Sequence, residues 1–428
     1  MTSAVKKVLF MNRPNAYSMP GGDTIVMNRL QEQLLNKGIK VDFSSNYNED
    51  VSSYDVVHIF NLTLQDLTDA FAKNAIKNNV PFVVTSLQED FPLYKNKAEV
   101  LVKIFWQYIN TGQSKEYFDR ALELLKTVPP SPTFTAPYAL LNADLIFPCS
   151  LTEEKFIKSI YKESRTSVIH FGSKIKNINV SKDHFCNKFG VEDFVLVVAR
   201  LEMRKNQLML LKALEDDDIP IVFADGGFTY SPGYKTLCEQ YKRKGKTIFT
   251  GRLDDELLIS AFKAAKVHCL PSWYELPGLV TIEAARYGCA VVASSWGAIS
   301  DYLKDKCYYC EPDNYKSIRS AILNAYERGI PQGLKEKAES FTWEKFAENT
   351  ISKYEEIITK RKQNNKTFKI IDFPDIYNFV ENVTKLVEEN KSREAYEYYQ
   401  KYRKFYSNQN DLEKFDILMQ TFAQRLGF

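Results

Sequence analysis

Twice along the chain, short apolar runs alternate with amphipathic helical stretches, and this rhythm constrains the fold more than any other feature. The first series runs "KVLFMN", the helical "DTIVMNRLQEQLLNKG", "KVDFSS", "YDVVHIFN", a helix near 64–78 and "PFVVTS". The second begins at "DFVLVVARL" and continues through "IPIVFADGG", "KTIFTGRL", "AAKVHCLPS", "CAVVASS" and "KCYYCEP". A strand followed by a helix pairs parallel with the next strand, because the crossover returns the chain to the same end of the sheet. Two such series predict an α/β chain with two Rossmann-like, doubly wound parallel sheets facing across a cleft. Ligands then bind where strand carboxyl ends and helix N-termini converge.

The rhythm also predicts the divisions. Residues 1–180 form a first half, interrupted at 91–137 by aromatic-rich helices ("EVLVKIFWQYI", "KEYFDRALELL") expected at a sheet edge, covering the cleft. Residues 181–345 form the second half. A closing helix and the basic linker "KRKQNNKTFK" occupy 346–370, and 371–428 is a helical appendage. In that appendage Tyr396, Tyr398, Tyr399, Tyr402, Phe405 and Tyr406 crowd one helix, more aromatic surface than three short helices bury among themselves.

A chain of 428 residues with 44% hydrophobic and 26% charged residues is globular and has more than one core. Its net charge of +3 gives no general attraction to polyanions. The N-terminal apolar run is too short for a signal peptide and no segment is long enough for a bilayer span, so the expectation is cytoplasmic. Seven cysteines, an odd number set mostly in apolar runs, read as reduced core thiols. The "CYYC" pair reads as part of a short strand.

Three stretches carry site chemistry. "ARLEMRKNQ" sets Arg200 at a strand end and Lys205 at the start of the next helix, and two cations beside free N–H groups suit a diphosphate. "MPGGDTIVMNRL" sets Gly21 and Gly22 before a helix that Asp23 or Thr24 can cap. "PSWYELPGLVTIEAARYG" places Glu275 on a loop after a strand and Glu283 one turn into the next helix. His58, ending the strand "DVVHI", is a candidate to face the cleft, and His268 is packed. The Asp-x-Asp in "EDDDIP" reads as a solvated loop rather than a metal site. No serine sits in a nucleophile-elbow context.

On these residues, and on "ADLIFPCS", "VIHFG" and the segment 251–297, the chain resembles the retaining GT-B glycosyltransferases of the large family that includes sucrose-phosphate synthases and bacterial polysaccharide and lipid glycosyltransferases. The resemblance covers about residues 1–362. It implies transfer of a sugar from a UDP- or GDP-sugar to a hydroxyl acceptor, with no metal or other cofactor required. It assigns Arg200 and Lys205 to the donor diphosphate, Glu275 to the donor sugar's hydroxyls and Glu283 to the ribose. Backbone amides of Gly278, Leu279 and Val280 lie against the phosphates, and Gly21 and Gly22 approach from the other half. The chain departs from the family after "PFVVTS", where a histidine is usual and "SLQED" stands here. Gln88, Glu89 or Asp90, with Asp23 and His58, are the candidates for the sugar and acceptor side.

The insertion is longer than the family's and is expected to shape the acceptor site. The acceptor stays open among a glycan, a lipid-linked glycan, a protein side chain and a modified base in DNA, with nucleic acid not favoured. The basic linker allows peripheral membrane contact, and the last helices allow a homo-oligomer. A GT-B epimerase and a non-catalytic scaffold with a partner-binding tail are the rival readings.

Overall fold

The computed structural model describes residues 5–131, 137–173, 176, 178–227, 229, 231–363, 371, 376–403 and 410–426. The first half contains β1 (Lys7–Met11), α1 (Gly22–Asn36), β2 (Lys40–Ser44), β3 (Val56–Phe60), α2 (Gln65–Lys77), β4 (Phe82–Thr85), α3 (Phe91–Thr111), α4 (Lys115–Leu124), α5 (Pro137–Asn142), β5 (Leu145–Phe147) and α6 (Leu151–Ile160). The second contains α7 (Asp183–Phe189), β6 (Val195–Val198), α8 (Gln207–Ala213), β7 (Ile221–Ala224), α9 (Pro232–Gln240), β8 (Thr247–Phe249), α10 (Asp255–Ala264), β9 (Val267–Leu270), α11 (Leu279–Tyr287), β10 (Ala290–Ser294), α12 (Ile299–Leu303), β11 (Tyr308–Cys310), α13 (Tyr315–Arg328) and α14 (Leu334–Glu339). Then follow α15 (Trp343–Gln363), α16 (Ile376–Glu388), α17 (Ser392–Tyr402) and α18 (Asn410–Leu426).

Both sheets are wholly parallel, as the alternation predicts. The first has strand order β2-β1-β3-β4-β5 and the second β11-β10-β9-β6-β7-β8. Strand order therefore reverses between β1 and β3 in one sheet and between β6 and β9 in the other, and at those points adjacent loops leave in opposite directions and open a crevice. Helices cover both faces, which is why the central strands are apolar throughout: β3 and β4 are buried at every residue. "CYYC" runs into β11, with Cys307 and Cys310 both buried.

The insertion departs from its expected place. Instead of lying at the edge of the first sheet, α3 and α4 pack into the core of the second half. Tyr94, Ala98, Leu101, Phe105, Phe118 and Leu122 share one apolar cluster with Val195, Leu208, Leu211 and Leu237. Phe105 meets Tyr241 at 5.3 Å between ring centroids. The carboxylates of "EDDDIP" close this contact, Asp216 pairing with Lys115 of α4 and Asp217 with Arg319. The physical reason is the apolar stripe of α3, which the first sheet, already covered by its own helices, leaves without a partner.

α15 makes the opposite journey, from the second half back to the first. Arg361 binds Asp144 through two nitrogens, at 2.8 and 2.7 Å, and Tyr354 is buried against the first sheet. His58 answers to this helix and not to the cleft. It lies within β3, is fully buried, and its ring nitrogens contact Tyr354 Oη at 2.5 Å and Thr85 Oγ1 at 2.7 Å. The expectation that it faces the cleft is corrected: its strand neighbours Val57 and Ile59 are buried in the core on the other face of the sheet, and its own side chain points under α15.

The last three helices bury Phe379, Val383, Ala395, Tyr399, Leu412 and Met419 in a cluster of their own. Tyr396, Tyr398 and Tyr402 pack partly against it, so the aromatic crowding serves this small core, while Phe405 and Tyr406 lie outside the described residues. No helix among the described residues is long and apolar enough to cross a membrane.

Burial holds the His58 pKa down to about 3, so the folded chain refuses a proton that the unfolded chain accepts near 6.5. The unfolded state therefore binds more protons between those values, and stability falls as pH falls through that window. The expected contribution is at most about 1.4 kcal/mol per pH unit. Urea unfolding at pH 7 and pH 5 should show a smaller loss in His58→Gln than in the unaltered chain. Equal losses would refute the assignment.

Candidate functional site

The two crevices face each other and make one cleft of about 390 Å³. Its walls are the exits of five strands. Gly22 and Asp23 follow β1, Asn61 and Thr63 follow β3, and Leu87 and Glu89 follow β4. From the second half come Arg200, Arg204 and Lys205 after β6, and Glu275, Leu276, Gly278, Leu279 and Val280 after β9. Three of these exits turn through left-handed backbone at residues other than glycine: Asn61 at φ 74°, Leu87 at φ 46° and Asn206 at φ 60°. Asparagine tolerates this conformation, whereas leucine is strained there, and such strain concentrates at binding sites.

Glu275 is the centre of the charge arrangement. Its carboxylate is buried, and Oε1 lies 2.5 Å from Lys205 Nζ and 3.6 Å from Arg204. Burial works to raise its pKa, but Lys205 and then Arg204 outweigh it and hold the group at about 2. Burial and the neighbouring Arg204 pull the Lys205 pKa down, and Glu275 opposes them. The loop bearing Glu275 is pinned from both sides. Trp273 N–H donates to Arg204 O at 2.9 Å, and Ala298 N–H donates to Glu275 O at 2.8 Å. Gly297 makes the second contact feasible: at φ 101°, a Cβ there would stand 2.6 Å from Glu275 O.

Beyond this loop Gly278, at φ 74°, opens α11, so the helix's first N–H groups, which have no intrahelical acceptor, face the cleft. Lys205 lies two residues earlier than expected relative to its helix. It ends a single 3-10 turn (Met203–Lys205), and α8 starts at Gln207. Asn206 fixes this turn by donating to Pro271 O at 3.0 Å and Pro312 O at 2.8 Å. Arg200 sits at the rim, 3.4 Å from Glu202.

On the opposite wall Asp23 does not cap α1. Arg13 holds it through Nε at 2.8 Å and a second nitrogen at 3.1 Å, while Gly21 is the N-cap and its N–H donates to Thr24 Oγ1 at 3.4 Å. Burial raises the Asp23 pKa, but Arg13 outweighs it and leaves the group below its ordinary value. Of the "SLQED" candidates only Glu89 lines the cleft. Gln88 is buried with its amide donating to Glu89 O, and Asp90 caps α3 by accepting from Leu93 N–H at 3.2 Å. Gly21 stands just outside the lining, as the residue before α1.

Two further residues escaped the sequence reading. Arg204 is one; the adjacent cations of "MRKN" were its signal. Glu153 is the other. It is fully buried and accepts from Ser86 Oγ at 2.6 Å, Gln88 N–H at 2.7 Å and Cys149 N–H at 2.6 Å, which braces the loop that carries Leu87 and Glu89. Its sequence context, three residues after the N-cap Ser150, marks a helix start and not this role. Among the described residues no group of three or more metal-ligating side chains is present.

Glu283 lies on α11 outside the cleft lining and, among the described residues, has no hydrogen-bond partner from the protein. Burial pushes its pKa up to about 7, against the pull of Arg286, Arg29 and Lys176. Its folded value exceeds the unfolded one, so the stability linked to it is present at low pH and lost as pH rises from about 4.3 to 7. Glu283→Gln should therefore stabilise the unliganded chain at pH 8, by about 2 kcal/mol, and leave it unchanged at pH 4. Denaturant titration at the two pH values checks this; a destabilised variant at pH 8 would show a hidden partner.

Residues 182–341 match the family of glycosyl transferases group 1. An uncharacterised glycosyltransferase of Methanocaldococcus jannaschii is 29% identical over 227 residues, which are 48% of this chain and 57% of that protein. The O-antigen chain mannosyltransferase B of Escherichia coli is 27% identical over 181 residues, 38% of this chain and 46% of that protein. The chain thus spans about half the length of these curated relatives. Among solved structures, the sucrose-phosphate synthase of Thermosynechococcus elongatus superposes with a TM-score of 0.56 at 17% identity, covering 83% of this chain and all of the other. Anabaena HepE, in complex with UDP and glucose, gives 0.52 at 18% identity over 84% and 98% of the two chains. These likenesses establish the GT-B fold.

Proposed function

We propose that this chain, a GT-B protein with a glycosyl transferases group 1 domain at residues 182–341, moves a glycosyl group from a nucleoside-diphosphate sugar to an acceptor hydroxyl. One observation carries the reading: Arg200, Lys205, Glu275 and the N-terminus of α11 converge where the strand order of the second sheet reverses, directly across from Gly22, Asp23 and Glu89. Related proteins with bound UDP support a nucleotide-sugar donor, either a UDP- or a GDP-sugar.

In this reading the diphosphate lies on the first N–H groups of α11 with Arg200 and Lys205 against its charge. The bond from the anomeric carbon to the phosphate oxygen breaks, and the negative charge that collects on that oxygen is stabilised by groups already in place. Glu275 accepts hydrogen bonds from the sugar's hydroxyls, and Glu283, on α11 beyond the lining of the unliganded cleft, is assigned to the ribose by the family resemblance alone. Among the described residues the cleft lining offers no carboxylate without a cationic partner. All three carboxylates lining the cleft are ion-paired, Asp23 to Arg13, Glu275 to Lys205 and Glu89 to Arg204. The acceptor's proton then goes to the departing phosphate oxygen. That requires acceptor and leaving group on one face of the sugar, so the anomeric configuration is retained. The chemistry needs no metal. The acceptor is a glycan or glycoconjugate hydroxyl.

A screen of nucleotide-sugars for binding and slow hydrolysis tests the donor. Arg200→Ala with Lys205→Ala should weaken nucleoside-diphosphate binding by about 3 kcal/mol. Wild-type affinity in that variant would move the site elsewhere. Glu275→Gln should bind the bare diphosphate as well as or better than wild type, because a carboxylate facing the anion is neutralised, yet lose about 2–3 kcal/mol of transition-state stabilisation. Calorimetry and turnover separate the two effects. A product of inverted configuration by NMR would end the same-face mechanism.

A further inference from the structure

We propose that the α3–α4 hairpin carries Glu89 onto Arg204, and that Arg204 is the positioning residue that keeps Glu275 in place when Lys205 turns to the donor diphosphate. The proposal rests on the donor reading above and adds a residue to it.

The hairpin leaves the first half and is fixed to the second. Lys97 of α3 pairs with Asp313 at 2.8 Å, with side chains 11% and 10% exposed, and Asp119 of α4 pairs with Lys212 at 2.6 Å. Glu89 directly precedes Asp90, the cap of α3, so its backbone travels with the hairpin. Its Oε2 accepts from Tyr94 Oη at 2.7 Å, and the Tyr94 ring stacks on Tyr274 of the Glu275 loop, 6.4 Å between centroids. Its Oε1 lies 3.2 Å from an Arg204 nitrogen. The same nitrogen donates to Tyr274 O at 3.0 Å and stands 3.6 Å from Glu275 Oε1. Glu275 Oε1 is therefore shared between two cations of different freedom. A lysine ammonium swings on a flexible stem, while a guanidinium gripped by several acceptors keeps its place.

Charge decides which cation moves. Arg200, Arg204 and Lys205 face Glu89, Glu202 and Glu275, three against three, before any anion arrives. A diphosphate is held only if cations leave carboxylates to meet it. Lys205 can do so without stranding Glu275 because Arg204 remains, and Arg204 remains because Glu89 and the Tyr274 carbonyl hold it. Without Arg204, Glu275 would be left as a buried unpaired carboxylate that shifts or takes up a proton.

The test uses the full chain, UDP and GDP, and the nucleotide-sugar that it hydrolyses. Glu89→Gln and Arg204→Met should each lower kcat about tenfold or more while nucleoside-diphosphate affinity changes less than about fivefold. The double variant should be no worse than the weaker single, since both remove one unit, and Glu89→Asp should recover part of the rate. Asp313→Asn, which takes the charge from the partner of Lys97, should lower kcat in the same direction by loosening the hairpin. In Arg204→Met the acid limb of the rate profile should move to higher pH, a shift that mere loss of stability does not produce. Unchanged kcat, strictly additive losses, or an affinity loss as large as that of Lys205→Ala would overturn the positioning role. If the unaltered chain turns over and the single variants do too, only this inference falls; if the unaltered chain binds neither nucleotide, the donor reading falls and takes it along.

Discussion

The buried pair of Lys205 and Glu275 sets the terms for the rest of the molecule. Neither charge could stay inside without a partner of opposite sign, since an unpaired ion in such a place costs several kcal/mol. Holding them 2.5 Å apart requires two separate loops, the exits of β6 and β9, to meet in fixed register. Adjacent strands β6 and β9 supply the register, and the turn at Asn206 and the contact of Gly297 with the Glu275 backbone supply the fine placement. The site is thus a property of the sheet's point of reversal, where neighbouring strands send their loops apart and leave room for a ligand.

Much of this was legible in the sequence because it depends on local order. Strand–helix alternation fixes parallel sheets; Gly278 before an apolar helical run and glutamates eight residues apart fix a loop and a helix face. Those signals are short-range, and the sheets, α11, Arg200 and Glu275 stand where that order puts them, while Lys205 precedes its helix instead of opening it. What sequence order hides is the partner across space. His58 reads as a strand-end residue, but its environment is decided by Tyr354, which lies 296 positions away. Glu153 reads as one more acid in a helix, although its carboxylate organises the loop above β4. Arg204 was visible as a cation, yet its role depends on Glu89, which only the path of α3 reveals.

The path of α3 also shows why the helical insertion was misplaced in the reading. Apolar spacing says that a helix must be covered and says nothing of which core covers it. The first sheet already has helices on both faces, whereas α8 and α9 of the second half present leucines and Tyr241 that need cover. The insertion goes where the unsatisfied apolar surface is.

The outcome is a reciprocal exchange. One half contributes α3 and α4 to the other's core, and the other returns α15 to the first half's core through Tyr354 and Arg361. Each helix carries a link back to the cleft or to the sheet beneath it: Glu89 directly precedes the cap of α3, and α15 covers the strand whose exit supplies Asn61 and Thr63. A displacement of one half against the other must therefore move a wall residue of the cleft with it. With Glu89 borne by a hairpin packed on the second half, the groups around Glu275 are held together by that half, whereas Gly22, Asp23 and Asn61 belong to the first.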